Sequence, residues 1–358
     1  MKKIGTRILL VFVTLISASC RQITPDVPAT GIRGAIILNN GNWGSNDASI
    51  SIYDPADRSV AERQFLAVNG RHLGDLGQDI ITLGDEIYIA MNGSKVIFVT
   101  DMGLKLKKSI VADIGGVGMA PRCLATANGK VYVTFHEGFV GEITPGSYSV
   151  RTTATGSCPE GICIRGGKAY VANSGYGCDN TVSVIDLASF KEERKFEVNS
   201  NPQSVAIDKD GRTLYVCSWD TFDPVTYEVT SSAKLQQVDI SSGKVSDMDG
   251  YSGVQYITEG PDNQLFIAQS GYDADSRICG TIKVLDMSSG IGKGLFTEKL
   301  FLNYYSLSYS NGFVFVGTSD YLTNGDVYIY KADGTFIDKF DAQGLNPQKC
   351  IIFPSAIR

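Results

Sequence analysis

The sequence predicts an all-β fold, a seven-bladed β-propeller, and three observations support that prediction. First, a strand that begins with Tyr or Phe returns at intervals of 44, 38, 45, 51 and 49 residues, at Tyr88, Tyr132, Tyr170, Tyr215, Phe266 and Phe315. Second, Gly or Asn precedes most of these strands at a turn, and a second strand that ends in Asp follows most of them. Third, the strand that the first repeat lacks is found at the other end of the chain. Repeats of this length, built from several short strands, are typical of β-propellers.

The first 20 residues have the pattern of a bacterial lipoprotein signal peptide. Basic residues among the first seven precede an apolar stretch at residues 8–16, which is too short to span a bilayer as a helix. Residues 15–20, Leu-Ile-Ser-Ala-Ser-Cys, resemble a lipobox, in which Cys20 is lipidated and becomes the first residue of the mature protein. The alternative is a simple signal peptide that is cleaved near Ala18 and Ser19.

Residues 21–32 predict a flexible tether between the anchor and the folded domain, because they are polar and contain Pro25 and Pro28. Arg21 occupies the position where Asp would signal retention at the inner membrane. We therefore expect a protein that is lipid-anchored in the outer membrane and exposed at the cell surface, with periplasmic exposure as the alternative.

The remaining residues, 33–358, are expected to form one propeller. Strands at residues 35–39 and 49–54 begin the first repeat without the strand that normally precedes them. Residues 346–353 begin Asn-Pro-Gln and match residues 201–207 of a later repeat, which also begin Asn-Pro-Gln. The C-terminal strand should therefore complete the first blade and close the ring, since closure pairs strands that would otherwise be exposed edges.

Each blade is predicted to have four antiparallel strands, with the first strand nearest the axis. The connection into the first strand and the loop between the second and third strands then open on the same face. These loops are long and rich in aromatic and amide side chains, which suit a large polar ligand. The alternative is that their Asn, Asp and Gly residues only serve turn geometry. The candidate ligand-binding residues in these loops are Asn42, Trp43, His136, Phe139, Tyr176, Trp219, Phe222, Tyr272 and Tyr321.

A second set of candidates lies where each innermost strand begins. These residues should surround the mouth of the central channel as a hydrogen-bonding floor. Strand starts that meet channel water would also be polar, so this pattern has a purely structural alternative. The seven residues are Gln78, Arg122, Glu160, Gln203, Gln255, Tyr305 and Gln348.

Seven cysteines follow Cys20, and an exported chain permits disulfides among them. Cys158 and Cys178 fall in two loops of one repeat that open on the same face, and they are the best candidate pair. Cys217 and Cys279 are a weaker candidate in neighbouring repeats. The other three, Cys123, Cys163 and Cys350, fall in predicted innermost strands and are interpreted as packed thiols.

Few features of the sequence suggest catalysis, a metal or a cofactor. The formal net charge of −6 offers no basic patch for nucleic acid. No Cys or His spacing predicts a metal site, although a calcium loop around Asp273 and Asp275 stays open. The Asp residues that recur at strand ends are interpreted as turn caps. We therefore expect no catalytic residues and no cofactor.

The repeat phrase, Tyr170-Val-Ala-Asn with Val182-Ser-Val-Ile-Asp186, resembles the YncE-like family of seven-bladed propellers. Residues 37–54 are similar to the opening blade of Bacteroidetes surface lipoprotein propellers. The wider resemblance to these propellers covers residues 33–358. Its BtuG-like members capture vitamin B12 at the cell surface and pass it to a TonB-dependent transporter. The resemblance implies a corrinoid as the ligand, bound rather than used as a cofactor, and such a transporter as the partner.

Three functions are carried forward. The first is capture of a corrinoid or another large polar molecule and its delivery to a transporter. The second is a scaffold whose loop face binds a surface protein or a glycan, since an exposed aromatic patch also suits such an interface. The third is a lactonase-type enzyme that would use a carboxylate at the channel mouth, such as Glu160.

Overall fold

The computed structural model describes residues 34–296 and 303–352, without the side chain of Leu295. The predicted signal peptide, the lipidation site Cys20 and the tether lie outside the described residues. No helix in the described part of the chain is long and apolar enough to cross a membrane.

The described chain forms seven four-stranded antiparallel sheets, which are the blades of a seven-bladed β-propeller. Blade 1 contains β1 (Ala35–Asn39), β2 (Ser49–Asp54), β3 (Ser59–Ala61) and, from the C-terminal end, β32 (Pro347–Ile352). Blade 2 contains β4 (Gly77–Leu83), β5 (Glu86–Met91), β6 (Val96–Asp101) and β7 (Leu106–Ile110). A two-stranded hairpin follows, made of β8 (Asp113–Ile114) and β9 (Val117–Gly118). Blade 3 contains β10 (Pro121–Ala127), β11 (Lys130–Phe135), β12 (Phe139–Thr144) and β13 (Ser149–Ala154).

The other four blades repeat this order. Blade 4 contains β14 (Pro159–Arg165), β15 (Lys168–Asn173), β16 (Thr181–Asp186) and β17 (Lys191–Glu197). Blade 5 contains β18 (Pro202–Ile207), β19 (Thr213–Ser218), β22 (Lys234–Asp239) and β23 (Val245–Asp247), with a hairpin of β20 (Thr221–Phe222) and β21 (Val229–Ser231) inserted. Blade 6 contains β24 (Val254–Glu259), β25 (Gln264–Tyr272), β26 (Ile278–Asp286) and β27 (Ile291–Leu295). Blade 7 contains β28 (Tyr304–Ser310), β29 (Phe313–Thr318), β30 (Asp326–Lys331) and β31 (Phe336–Asp341).

The ring closes as the sequence predicts. Strand β32 pairs antiparallel with β1, so that Ile351 lies opposite Ile36 and Cys350 lies opposite Ile37. Each innermost strand also packs against the innermost strands of both neighbouring blades, and β32 completes this circle between β28 and β4. The C-terminal strand is therefore the first strand of blade 1, and no blade of the ring lacks its innermost strand.

The repeated aromatic residue is explained by the packing between blades. Seven apolar clusters lie between successive blades, and the last of them joins blade 7 to blade 1. Each aromatic residue of the repeat is at most 3% exposed and packs in the cluster between its own blade and the next: Tyr88, Tyr132, Tyr170, Tyr215, Phe266 and Phe315. Burial of these large rings is a major stabilising contribution, and it requires a neighbouring blade.

The Asp residues at strand ends are turn caps, as predicted. Asp186 accepts hydrogen bonds from the backbone and side chain of Ser189. Asp239 accepts from Ser241 and Ser242, and these hydrogen bonds lower its pKa to about 2. Asp54, Asp101 and Asp286 hold the corresponding turns of their blades in the same way.

One helix and two inserted hairpins were not predicted. Helix α1 (Gln64–Asn69) lies between blades 1 and 2, where Phe65 is 1% exposed and stacks on Phe98 at 5.3 Å between ring centroids. Short 3₁₀ turns at Gly175–Gly177 and Pro261–Asn263 complete the helical structure of the described residues. A helix of six residues has too little periodicity to be recognised in a sequence dominated by strands.

Asn346 joins the two ends of the ring just before β32. Its side-chain oxygen accepts from the Ser319 hydroxyl of blade 7, and its amide donates to Gly41 O at 2.8 Å and Asn42 Oδ1 at 3.0 Å in blade 1. The residue is 2% exposed and has a left-handed backbone with φ 59. Asn tolerates this conformation better than most residues with a Cβ.

We expect Asn346→Ala to lower the free energy of unfolding by about 2–4 kcal/mol, because buried partners lose their hydrogen bonds and Ala is strained at this φ. Asn346→Gly should cost roughly 1 kcal/mol less, since Gly removes only the strain. Asn128→Ala is the matched control, because Asn128 is exposed and left-handed with φ 51. Urea unfolding measures all three, and a cost for Asn346→Ala no larger than that of the control would contradict the closing role.

Candidate functional site

Each innermost strand begins with a β-bulge that releases polar residues from the sheet. In blade 5, Pro202 pairs with Ser218 and Ser204 pairs with Cys217, so Gln203 has no partner across the ladder. The same shift occurs in the other six blades. Bulges re-aim side chains in this way and are frequent beside binding sites. The bulged residues include all seven predicted strand-start positions: Gln78, Arg122, Glu160, Gln203, Gln255, Tyr305 and Gln348.

The central channel is a polar cavity of about 320 Å³ that all seven innermost strands line. Six of the seven strand-start residues line it, and in blade 7 Ser306 lines it in place of Tyr305. Two ion pairs lie in its wall, Arg122 with Glu160 and Lys349 with Asp79, so its charges balance. The channel-lining amides and hydroxyls are Gln78, Gln203, Ser204, Gln255, Thr258, Ser306, Ser308 and Gln348.

Glu160 is the centre of a hydrogen-bonded chain at the channel mouth. Its carboxylate accepts from Arg122 Nε at 2.7 Å and lies 3.2 Å from His136 Nε2. The other nitrogen of His136, Nδ1, lies 3.0 Å from the Tyr176 hydroxyl. The arrangement is consistent if Nε2 carries the proton and donates to Glu160, while Nδ1 accepts from Tyr176. The chain therefore runs from a buried carboxylate to an exposed phenol.

The electrostatics of this chain keep Arg122 charged and the nearby thiol neutral. Burial alone would lower the pKa of Arg122, but the carboxylate of Glu160, together with Cys123 and Tyr176, raises it. Burial, with the carboxylates of Asp79 and Glu160 adding to it, raises the pKa of Cys123 to about 12. Cys123 is half-buried and lines the channel, so its interpretation as a packed core thiol was wrong, whereas Cys163 and Cys350 do pack in apolar clusters.

An aromatic pocket of about 280 Å³ opens beside the channel, between blades 5, 6 and 7. Three of its lining residues, Trp219, Gln255 and Tyr256, also line the channel, so the two cavities are adjacent. Trp219 donates from Nε1 to Gln255 O at 2.5 Å and meets Tyr256 edge to face at 5.8 Å. The pocket is lined by Trp219, Asp220, Phe222, Ala233, Gly253, Val254, Gln255, Tyr256, Ser270, Asn303, Tyr304 and Tyr321.

The aromatic candidates are not spread evenly around the face. Trp219, Phe222 and Tyr321 form the pocket, whereas Trp43 is 77% exposed and Tyr272 is 73% exposed, and neither lines it or the channel. Tyr305 lies against Tyr321 at 5.8 Å and supports the pocket from behind.

Two candidates have structural roles. Asn42 donates to Tyr321 O at 3.2 Å and accepts from Asn346, so it ties the loops of blades 1 and 7 together. Phe139 begins β12 and packs in the apolar cluster between blades 2 and 3 rather than in a loop. Its expected place in the loop was wrong, because a short turn after His136 lets the strand begin at Phe139 itself.

Sequence reasoning missed Tyr256, Asn303 and the ion pair of Asp79 with Lys349. Three of these residues directly follow a predicted strand-start residue: Tyr256 follows Gln255, Asp79 follows Gln78 and Lys349 follows Gln348. Extending the prediction by one residue along each innermost strand would have identified them. Asn303 precedes β28 and carries no pattern of its own.

No group of three or more His, Cys, Asp or Glu side chains in the described residues could hold a metal ion. Both nitrogens of His136 and both oxygens of Glu160 have partners. In the loop of blade 6, Arg277 contacts Asp273 and Asp275. The two cavities combine aromatic walls with hydrogen-bonding groups, a composition found in ligand-binding pockets.

The four cysteines of the candidate pairs lie as expected, and their pairing stays a prediction. Cys158 and Cys178 are free thiols here, on either side of the turn that carries Tyr176. The Ser174 amide donates to Cys158 O, and the Cys178 amide donates to Gly175 O, so the connection that carries Cys158 lies against the turn that carries Cys178. Cys217 and Cys279 are buried in blades 5 and 6 and are also free thiols.

We expect Glu160→Gln to lower the free energy of unfolding by about 2–3 kcal/mol. Arg122 would keep its charge without a carboxylate partner, and the loss falls below that of a fully buried pair because the Arg122 side chain is 20% exposed. Glu193→Gln is the matched control, since its ion pair with Lys168 is exposed and should change stability by less than about 1 kcal/mol. Equal losses for the two variants in urea unfolding would contradict this role of Glu160.

We expect Cys158 and Cys178 to form a disulfide when the protein is exported, because their two loops lie against each other and the compartment is oxidising. Alkylation of the unfolded, unreduced protein followed by mass spectrometry should leave this pair unmodified. Cys158→Ser should then expose Cys178 to alkylation, and full alkylation of both cysteines in the unaltered protein would disprove the bridge.

No protein-family model and no curated protein matches the chain. Among solved structures, hydrazine synthase of Kuenenia stuttgartiensis superposes with a TM-score of 0.61 at 18% identity, over 76% of this chain and 88% of that chain. The dihydro-heme d1 dehydrogenase NirN, in complex with DHE, superposes with a TM-score of 0.55 at 11% identity, over 88% of this chain and 68% of that chain. At such identities these likenesses show a shared fold, and the chain is a seven-bladed β-propeller.

Proposed function

We propose that the loop face of this propeller captures a large polar ligand, a corrinoid, and delivers it to a TonB-dependent transporter. The observation that carries the proposal is the junction of two unlike cavities at Trp219, Gln255 and Tyr256. One cavity is polar and axial, and the other is aromatic and off the axis. A ligand that fills both must have a hydrogen-bonding body and an apolar ring.

The polar cavity matches the periphery of a corrin. Gln78, Gln203 and Gln348 come from three blades and lie around one mouth, where each amide offers donors and an acceptor. A corrin carries several amide side chains around its ring, which need such complementary groups from several directions. Arg122 adds a charged donor that Glu160 already holds in place.

The aromatic walls supply contact area at low entropic cost. Trp219 and Tyr256 have their orientation set by mutual contact and by the hydrogen bond to Gln255 O. Side chains that are already ordered lose little conformational freedom when a ligand binds. Reversible capture is served by such contacts better than by ligation of cobalt through His136, whose two nitrogens both have partners.

The lipobox and the tether support a surface location for this capture. A lipid anchor at Cys20 would hold the propeller at the outer membrane, and a tether of residues 21–32 would let the loop face reach a transporter. Lipidation, leaflet and transporter are parts of the proposal that mass spectrometry of the mature N-terminus and protease shaving of intact cells test separately.

We expect calorimetric titration with cyanocobalamin to show saturable binding at micromolar protein. Trp219→Ala should weaken it at least about tenfold, because a pocket wall is lost. The matched control is Trp43→Ala, which removes the other tryptophan of the chain from a position that is 77% exposed and should change affinity less than about twofold. Absence of heat with the unaltered protein would reject the corrinoid, and equal effects of both variants would reject the site.

A second candidate function is a scaffold that binds a surface protein or a glycan. The specific observation is the hairpin of β20 and β21, where Val225 is 82% exposed and Tyr227 is 79% exposed. Exposed apolar groups of this kind mark interaction surfaces. Binding of a surface protein that is lost in Tyr227→Ser, together with no response to corrinoids, would favour this function. Turnover of a lactone that depends on Glu160 would favour the enzyme instead.

A further inference from the structure

The aromatic pocket is lined mainly by aromatic side chains, whereas the channel is lined by amides, hydroxyls and ion pairs. The pocket should therefore bind a different part of the ligand from the channel. Four aromatic side chains wall it, Trp219, Phe222, Tyr256 and Tyr321, with Tyr304 at its base. Its volume of about 280 Å³ equals the space of roughly nine water molecules. A fused bicyclic ring fits within this volume and leaves room for the link to the rest of the ligand.

We propose that this pocket is a subsite for a planar, neutral heteroaromatic ring carried by the ligand. The inference rests on the proposed function, because the rest of the ligand would lie over the polar channel mouth. It goes further in naming the group that enters the pocket and the residues that select it.

The walls are rigid before any ligand arrives. Trp219 is held by its hydrogen bond to Gln255 O, and Tyr321 is held from behind by Tyr305. The backbone of Tyr321 is fixed on both sides, since its amide donates to Ser319 Oγ at 2.8 Å and its carbonyl accepts from Asn42. A slot with rigid aromatic walls favours a flat ring over a flexible chain, because stacking needs no rearrangement.

Gln255 gives the pocket a polar contact. Its side-chain oxygen is buried and has no hydrogen-bond partner, and the residue lies where the pocket meets the channel. A buried polar atom without a partner costs free energy, and a ligand group recovers that cost once the amide turns its oxygen toward the pocket. The amide can present either its oxygen or its NH₂, so it can meet a ring N–H or a ring nitrogen.

The charges of the pocket exclude two other ligand groups. Among the described residues that line it there is no Lys, Arg or His, so a phosphate or carboxylate would have no counter-charge. Asp220 lines it, but its Oδ1 accepts from the Ala233 amide at 2.7 Å and holds the hairpin in place. A quaternary ammonium could use the aromatic faces, but it could not satisfy the Gln255 oxygen.

The test uses the two tryptophans of the chain. In a Trp43→Phe protein, Trp219 is the single tryptophan, and its fluorescence reports on the pocket. Benzimidazole should change this emission saturably with a dissociation constant of about 1 mM, the range expected for a fragment-sized ligand. Phe222→Ala should weaken that binding about fivefold or more, whereas Tyr272→Ala, an exposed aromatic outside the pocket, should not.

Choline and cyclohexanol are the matched probes for a cation and for a non-planar ring. No saturable response to benzimidazole, a stronger response to either control, or equal effects of Phe222→Ala and Tyr272→Ala would overturn the subsite. In the full ligand, cobalamin should bind at least about tenfold tighter than cobinamide, which lacks the heteroaromatic base.

The corrinoid experiment separates the two proposals. Equal affinity for cobalamin and cobinamide would overturn the subsite and leave corrinoid capture standing. A benzimidazole response without any corrinoid binding would support the subsite and reject the corrinoid as the ligand.

Discussion

The structure depends on the closure of the ring between blade 7 and blade 1. A single blade is a small sheet that cannot bury both of its faces, and each apolar layer of this protein lies between two blades. The layer between blades 7 and 1 forms only when β32 pairs with β1, because Cys350 and Ile352 belong to it. An open row of blades would leave that layer and the edges of two sheets in water. One pairing of two strands far apart in sequence therefore completes the circle of inter-blade layers.

Closure also determines where chemistry can occur. It brings the first strands of seven sheets around one axis, and the bulge at the start of each turns a side chain out of the ladder there. The backbone must be compact where these strands meet, and Gly161 shows why: a Cβ at this position would lie 2.8 Å from Gln203 O. The loops then make one side of the channel mouth chemically different from the other. They place an ionic chain around Glu160 on the side of blades 3 and 4, and the aromatic pocket on the side of blades 5 to 7.

The repeat was strong enough to predict the fold, the number of blades and the closing strand. Its aromatic residue recurs because every blade needs the same contact with the next, as Tyr88 and Phe315 illustrate. The seven strand-start residues could be predicted for the same reason, since the bulge that carries them repeats with the blades. Phe139 was assigned to a loop because the length of the turn that precedes it, between β11 and β12, carries no clear signal in the sequence. The pocket could not be predicted either, since Tyr256 and Asn303 meet only through the packing of blades 6 and 7. No repeated pattern records that contact.

The bulges have a consequence for how this protein could change. In an ordinary strand, exchanging a side chain alters its contacts with the neighbours across the ladder on both sides. Gln203 and Gln348 are released from that pairing, while the hydrogen-bonded residues on either side of each keep their register. The lining of the mouth can therefore vary at such glutamine positions at little cost to the scaffold, unlike at Arg122 and Glu160, which are paired. A combinatorial library confined to these bulged positions would explore new recognition chemistries on an unaltered frame.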